Sequence, residues 1–340
     1  MSKIVCLKNE SPLPLFPQEP LLWRQLLRQN FVDWKKLADF LQLTEEQRQQ
    51  ILTKPKFALN LPLRIAQKIA KATLDDPILK QFIPTQAETE EIEGFSLDPV
   101  GDCGAAKSEK LLHKYKGRAL LLCTSACAMH CRYCFRQNFD YAVGVSHFSN
   151  EIELIRQDSS ISEVILSGGD PLSLSDRVLG QLMQELASIP HVTRLRLHTR
   201  FPIGIPERID TRFLQMIEGL SCQVWMVIHA NHPLELDEEV LSRLKSLQKL
   251  GVVLLNQAVL LRDVNDNIDV LAQLCERLVD HGILPYYLHQ LDRVKGTAHF
   301  EVDVATGLQL VKELATRLPG YAVPRYVKEE EGFPSKTFLG

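Results

Sequence analysis

The sequence predicts an α/β fold: an open (β/α)6 barrel with a helical N-terminal extension and a short C-terminal tail. Three observations predict it. From about residue 118 onward, six short apolar runs alternate with longer stretches whose apolar residues recur at helical spacing. Each apolar run is followed by a cluster of polar residues, several of them with glycine. Ahead of that region, residues 1–95 read as helical. Strand–helix alternation implies a parallel sheet with right-handed crossovers. Six units suit an open barrel rather than a closed one of eight, and polar strand ends are where barrel enzymes place active sites.

The helical lobe, residues 1–95, is punctuated by a break at Phe16–Pro20. Leu21 to Arg28 carries Leu22, Trp23, Leu26 and Leu27 at helical spacing, and Trp34, Leu37, Ala38, Phe40 and Leu41 continue the pattern. Thr44-Glu-Glu-Gln47 fits a capping box opening the next helix. Leu63, Ala66, Ile69 and Ala70 form another amphipathic stretch, with Pro62 near its start. The tryptophans read as core. From Thr85 to Lys107 the chain is polar and contains Gly94, Pro99, Gly101 and Gly104, the marks of a connector; as a domain, the connector spans 96–117. Glu88, Glu90, Glu91 and Glu93 read as a solvated face, and Cys103 as incidental.

The core, residues 118–320, takes its strands from Ala119–Leu122, Glu163–Leu166, Arg194–His198, Gln223–Ile228, Val252–Leu255 and Pro285–Leu288. Asp176–Ala187, Asp237–Leu250 and Ile268–Asp280 are helices between them. The polar ends are a cysteine loop, Ser167–Pro171, Thr199–Arg200, His229–His232, Asn256–Gln257 and His289–Asp292. Residues 321–340 are the tail.

Composition narrows the function. The 340 residues are 45% hydrophobic and 24% charged, ordinary for a globular chain. A net charge of −3 gives no electrostatic reason to expect nucleic acid as a partner. No run approaches the roughly 18 apolar residues of a membrane span, and the first residues lack the apolar core of a signal peptide. Eight cysteines in such a length are not a disulfide scaffold. The expected setting is the reduced cytoplasm.

Cys127, Cys131 and Cys134 stand at C-x3-C-x2-C spacing directly after the first apolar run. Three thiolates can hold three irons of a [4Fe–4S] cluster and leave the fourth open to a small chelating molecule, and Tyr133 can shield such a cluster. A disulfide is the poorer reading in a reducing setting. A structural zinc site usually has four ligands, and His130 is wrongly spaced to be the fourth. Buried core cysteines are a further reading; Cys123, on the strand side, is read as core or as support for the ligands. Gly168 and Gly169 let a backbone approach a ligand closely and leave amides to bond it.

The cysteine spacing, with the tyrosine before the last cysteine, resembles the signature of the radical S-adenosylmethionine (SAM) superfamily, in which the open iron binds SAM. From about Leu111 the chain is similar to the lysine 2,3-aminomutase family. The resemblance runs in order through His113–Arg118, Cys127–Arg136, Ser167–Pro171, Leu254–Asn267, Pro285–Asp292 and the tail around Lys336. It is nearest to short bacterial members that make (R)-β-lysine for modification of elongation factor P. The implied fold is the radical SAM partial TIM barrel. The implied activity is that of an isomerase, an intramolecular aminotransferase that moves the nitrogen of L-lysine from C2 to C3. The implied cofactors are the cluster, SAM and pyridoxal 5′-phosphate (PLP).

By this resemblance Ser167, Gly168, Gly169, Asp170, His229 and Gln257 contact SAM, while His232 reads better as a satisfied loop histidine. Lys114, Tyr115 and Arg118 contact the phosphate and ring of PLP, cations and a hydroxyl being what a phosphate dianion wants. Lys336 matches the lysine that forms a Schiff base with PLP. Arg136 matches the arginine that pairs with the substrate carboxylate. Asp292 and Glu329 match the two carboxylates that hold the distal ammonium. Glu329 stands where longer family members have Asp, His289 where they have Tyr, and Phe338 where Pro is usual. With their cysteine-rich C-terminal extension absent, no zinc is expected. The implied partners are L-lysine, an external electron donor, and, functionally, elongation factor P with its lysyl-transfer enzyme; there is room for a homo-oligomer. Three other readings stay open: an aminomutase for another amino acid such as glutamate, a radical SAM enzyme without PLP, and a non-enzymatic cluster protein docking on the translation machinery.

Overall fold

In the computed structural model, which describes residues 21–139 and 147–340, nine strands form one mixed sheet in chain order. A hairpin opens it: β1 (Leu111–Tyr115) runs antiparallel to β2 (Arg118–Leu122). Gly117, at φ +79°, supplies the left-handed turn residue that joins them. Six parallel pairings follow, to β3 (Glu163–Ser167), β4 (Arg194–Thr199), β5 (Gln223–Ile228), β6 (Val253–Val259), β7 (Leu284–His289) and β8 (Arg325–Lys328). The short β9 (Thr337–Phe338) closes the order antiparallel to β8. β1 and β9 lie at opposite edges, so the sheet is open.

Helices Ser149–Gln157, Asp176–Ala187, Thr211–Glu218, Glu238–Gln248, Ile268–Asp280 and Val304–Arg317 make the crossovers. The last five begin at side-chain caps, Ser175, Asp210, Asp237, Asn267 and Asp303, each accepting from an amide of the first turn. Each buries one stripe on the sheet; Asp176–Ala187 buries Leu179, Leu182, Met183 and Leu186.

Three expectations need correction. There are seven parallel strands, because β8, Arg-Tyr-Val-Lys, is too short and polar to announce itself. Asn256 and Gln257 lie within β6 rather than after it. Asn256 is tolerated there because its side chain exchanges hydrogen bonds of 2.9 and 3.0 Å with the backbone of Ala230. Glu88 is not part of a solvated face: its side chain is buried against Arg132, while Glu90, Glu91 and Glu93 are exposed.

The N-terminal segment consists of short helices, Leu22–Leu27, Trp34–Phe40, Glu45–Arg48, Leu63–Gln67 and Pro77–Lys80. The Thr44 capping box is formed. The break expected at Phe16–Pro20 lies outside the described residues. Trp23 is buried edge-on to Phe201 at 5.6 Å, just past β4. One continuous hydrophobic cluster runs from Trp23 through the sheet to Tyr326, so lobe and sheet share a core. Among the described residues no helix is long and apolar enough to cross a membrane.

Candidate active site

The cysteine loop follows β2 and is clamped from two sides. From the sheet side, the Gly169 amide donates to the Thr124 carbonyl at 2.6 Å and the Asp170 amide to Ala126 at 2.8 Å. A Cβ on Gly168, at φ +114°, would sit 2.6 Å from the Thr124 carbonyl oxygen, and one on Gly169 2.5 Å from that of Ala126. Both positions therefore require glycine for the turn after β3 to lie against the loop. The clamping takes up the Gly169 amide that the sequence left free for a ligand. From the lobe side, Asn60 donates to the Cys127 carbonyl (3.1 Å), Asn30 to that of Ala128 (2.7 Å), and the Arg132 amide to that of Gln81 (2.9 Å). His130 stacks on Phe57 with ring centroids 4.5 Å apart, and its Nδ1 lies 2.8 Å from the Ala58 carbonyl.

Cys127, Cys131 and Cys134 are half-buried and free. Burial pushes the Cys134 thiol up to about 11 and Cys127 well above the usual thiol range, and the charge of the neighbouring cysteines adds to both shifts. The thiols are thus within electrostatic reach of one another, in a place where a positive metal centre would reverse the penalty. Among the described residues no three His, Cys, Asp or Glu converge on a single ion. A cubane asks for something else: three thiolates spread over separate corners, on a loop whose backbone is already held. The donor set fits that group. Cys123 is buried, with its thiol facing the Leu121 carbonyl at 3.5 Å.

Asp170 is fully engaged by protein. It accepts from the Thr199 hydroxyl (2.8 Å) and from the amides of Leu172, Arg200 and Phe201 (2.8–3.0 Å), tying the turn after β3 to the end of β4. Burial still raises its pKa to about 6. His229, at the end of β5, faces His198 of β4 with ring centroids 6.0 Å apart. The Nε2 atoms of His198, His229 and His289 are buried without a partner among the described residues. Burial lowers all three, His229 to about 3, so they line the interior as neutral rings. His232 caps the next turn, the Leu234 amide donating to its Nδ1 at 3.2 Å, while the Asn231 side chain donates to Gln81 and to the Tyr133 hydroxyl.

The second half of the site is ionic. Lys336, one residue before β9, pairs with Glu329, one residue after β8. Glu329 also accepts from the Tyr115 hydroxyl, and Lys114 lies 3.9 Å away. Lys114 in turn bonds Asp102 at 2.6 Å, and Asp102 accepts from Arg136 Nε at 2.7 Å. Arg136 Nη1 reaches the Ser167 hydroxyl at 3.3 Å, joining this chain to the turn after β3. Arg118 lies over the Tyr115 ring at 4.7 Å. Burial alone would raise Glu329 and Asp102, yet their cationic neighbours hold both below the usual carboxylate range. Asp292 differs. Burial pushes it up to about 7; the charge of Lys336 opposes this and that of Glu329 adds to it. Asp292 and Glu329 border a cavity of about 470 Å³ reached past Ser96, Pro99 and Phe333.

Residues 116–193 match the family model described as a 4Fe-4S single cluster domain. The chain is 39% identical over 332 residues to the L-lysine 2,3-aminomutase of Haemophilus influenzae, covering 95% of this chain and 98% of that one. It is 43% identical over 289 residues to the L-lysine 2,3-aminomutase of Escherichia coli, covering 84% of each. The chain belongs to the L-lysine 2,3-aminomutase family. It is therefore an isomerase of the radical SAM type. Similarity extends to the longer L-lysine 2,3-aminomutase of Clostridium subterminale, at 33% identity over 93% of this chain and 77% of that one.

Two residues of this aminomutase site escaped sequence reasoning. Asp102 sits in the polar connector, where a carboxylate reads as solvated, yet it is buried between Lys114 and Arg136. Arg200 follows β4 as one charge among many, yet its guanidinium meets the Cys131 sulfur at 2.8 Å. The position of Arg200 at a strand end was the available signal.

Proposed function

We propose that this chain converts L-lysine to (R)-β-lysine in the cytoplasm, for attachment to elongation factor P by a lysyl-transfer enzyme, with electrons from an external donor. The observation that carries the reading is the order of charged groups along the site: Arg136 beside the cysteine loop, then Asp102, Lys114 and Glu329, which pairs with Lys336, with Asp292 in electrostatic reach of both Lys336 and Glu329. That order suits a molecule with a carboxylate at one end and an ammonium at the other. When bound, the [4Fe–4S] cluster with SAM supplies radical chemistry and PLP supplies an electron-accepting ring. Cys127, Cys131 and Cys134 hold the cluster, and Ser167, Gly168, Gly169, His229 and Gln257 border SAM. Asp170 acts on that ligand by fixing the turn. Lys336 tethers PLP while Lys114, Tyr115 and Arg118 hold its phosphate and ring.

Arg136 takes the lysine carboxylate through its guanidinium fork, and Asp292 with Glu329 takes the distal ammonium. In the structure Arg136 and Glu329 are satisfied internally: Asp102 occupies Arg136 as a carboxylate would, and Lys336 occupies Glu329 as an ammonium would. Substrate and cofactor replace pairs that already exist, so each charge is exchanged rather than stripped of partners. A glutamate substrate would bring a second carboxylate to Asp292 and Glu329 and be repelled.

The test is anaerobic. Protein with a reconstituted cluster is given SAM, PLP, reductant and isotope-labelled L-lysine, and products are separated by chiral chromatography with mass detection. Labelled (R)-β-lysine is expected. Cleavage of SAM without β-lysine would remove lysine as the free substrate; neither product from cluster-loaded protein would remove the catalytic reading.

A further inference from the structure

We propose that Arg200 is the positioning residue that holds the Cys131 sulfur and sets the reduction potential of the cluster. The inference rests on the cluster reading of the cysteine loop. Arg200 follows β4 and is buried, and its guanidinium is split between two tasks. Nη2 donates to Glu235 and to Gln81, both at 2.7 Å. Nη1 donates to Cys131 Sγ at 2.8 Å and to the Tyr133 hydroxyl. One face lies over Phe82 at 4.8 Å, and the Tyr133 ring lies 5.5 Å away.

A purely structural ion pair would not look like this. A buried Arg–Glu pair is satisfied by facing forks, and here half of the fork is withheld from the carboxylate and turned to a thiol. Nε is buried with no partner among the described residues, a costly state for a charged donor. A cluster held by Cys131 would bring inorganic sulfides, which are acceptors of the kind such a donor could use. The surroundings hold Arg200 in place. Glu235, fully buried, accepts from the amides of Asn231 (2.9 Å) and His232 (3.0 Å), Gln81 comes from the lobe, and Asp170 accepts from the Arg200 amide. Arg132, directly after Cys131, turns away: it gives Nε and Nη2 to Glu88 and Nη1 to the Phe57 carbonyl.

A guanidinium donating to a cluster thiolate withdraws electron density from sulfur and favours the reduced, more negative cluster. Hydrogen bonds to sulfur and local charge are the levers a protein has over that potential. Glu235 acts oppositely, as the counter-charge that keeps the potential from rising further.

The experiment uses the full chain with its cluster reconstituted: wild type, R200K, R200Q, E235Q and R200Q/E235Q, the last free of an unpaired buried charge. Iron and sulfide content are measured first, and the cluster potential is then followed by EPR during a dithionite titration without substrate. R200Q and R200Q/E235Q are expected to shift to more negative potential, R200K by less because its charge remains, and E235Q to shift in the positive direction. Loss of iron from a folded R200Q, judged by circular dichroism, with retention in R200K would support the holding role. A loaded R200Q/E235Q at the same potential as E235Q overturns the inference alone. A wild type that takes up no iron overturns the cluster reading and this inference with it.

Discussion

Around Cys131 the polar groups are bound to partners that belong to the framework: backbone carbonyls meet Asn30, Asn60 and the Arg132 amide, and Asp170 is met by three amides and a hydroxyl. Around Lys336 the partners are other charged side chains: Lys336 with Glu329, Lys114 with Asp102, Asp102 with Arg136. Two carboxylates summarise the contrast. Asp170, buried, is raised to about 6 although protein donors surround it, and Asp292, half-buried at the cavity, to about 7 with no hydrogen bond to its carboxylate among the described residues. The first is a finished structural joint; the second is a group waiting for a cation. On the proposed function the contrast has a reason: a cluster is assembled once and needs a rigid cradle, whereas a substrate must enter and leave and is better met by groups held in exchangeable pairs.

If the two ends are separate devices, breaking one spares the other. The largest effect is expected from Lys336→Ala: turnover falls by orders of magnitude and the imine absorbance on adding PLP disappears, while iron content stays at the wild-type value. Loss of iron in this variant would show the ends to be one cooperative unit. Gly169→Ala is the reciprocal cut. Its Cβ would meet the Ala126 carbonyl at 2.5 Å, and backbone cannot yield as a flexible side chain does. Overpacking of this kind costs about 1–3 kcal/mol, and the expected readout is poor iron retention with PLP binding intact.

Within the ionic end, Arg136→Lys keeps the charge and loses the fork. A hydrogen bond to a charged group is worth about 1.5–3 kcal/mol, so kcat/KM for lysine is expected to fall by roughly 10- to 100-fold, with the SAM-cleavage background preserved; an unchanged kcat/KM would detach Arg136 from the carboxylate. Asp292 gives a signed pH effect in the cofactor-free protein. Its folded pKa of about 7 lies above the unfolded value near 4, so the folded state binds the extra proton. Its contribution to stability is complete below about pH 4 and is lost as pH rises through about 7. Asp292→Asn should therefore melt higher than wild type at pH 8 and no higher at pH 4, while losing lysine turnover. Equal melting temperatures at pH 8 would mean that Asp292 is better solvated than its cavity implies.

How much was legible in the sequence differs between the two ends for the same reason. The six runs read as strands are strands, and the helices Asp176–Ala187 and Ile268–Asp280 have the bounds that periodicity gave, because their apolar stripes and caps are local. The cysteine motif is local too. The lysine end is assembled from residues more than two hundred positions apart, Tyr115 with Glu329 for one, and only family resemblance could bring those together beforehand. β8 was missed because four residues ending in charges carry no periodicity. Asp102, Glu88 and Arg200 were missed because a charge in sequence defaults to solvent, and only the fold supplies the counter-charge that buries it.

The smallest effect sharpens the contrast from outside both ends. Thr44 caps the helix Glu45–Arg48 by accepting from the Gln47 amide while the Gln47 side chain accepts from the Thr44 amide. Removing a cap of this type costs about 1 kcal/mol, which in a chain of 340 residues shifts the melting temperature by only about 2 °C or less. Thr44→Ala touches no residue that meets the cysteine loop. If the lobe acts on the loop only through its direct contacts at Asn30, Asn60 and Gln81, the variant melts slightly lower with its iron content and cluster potential unmoved. Asn60→Ala, which leaves the Cys127 carbonyl without its donor, should lower iron retention instead. A Thr44→Ala variant that sheds iron as Asn60→Ala does would mean that the lobe supports the cluster through its overall stability and not through its direct contacts with the loop.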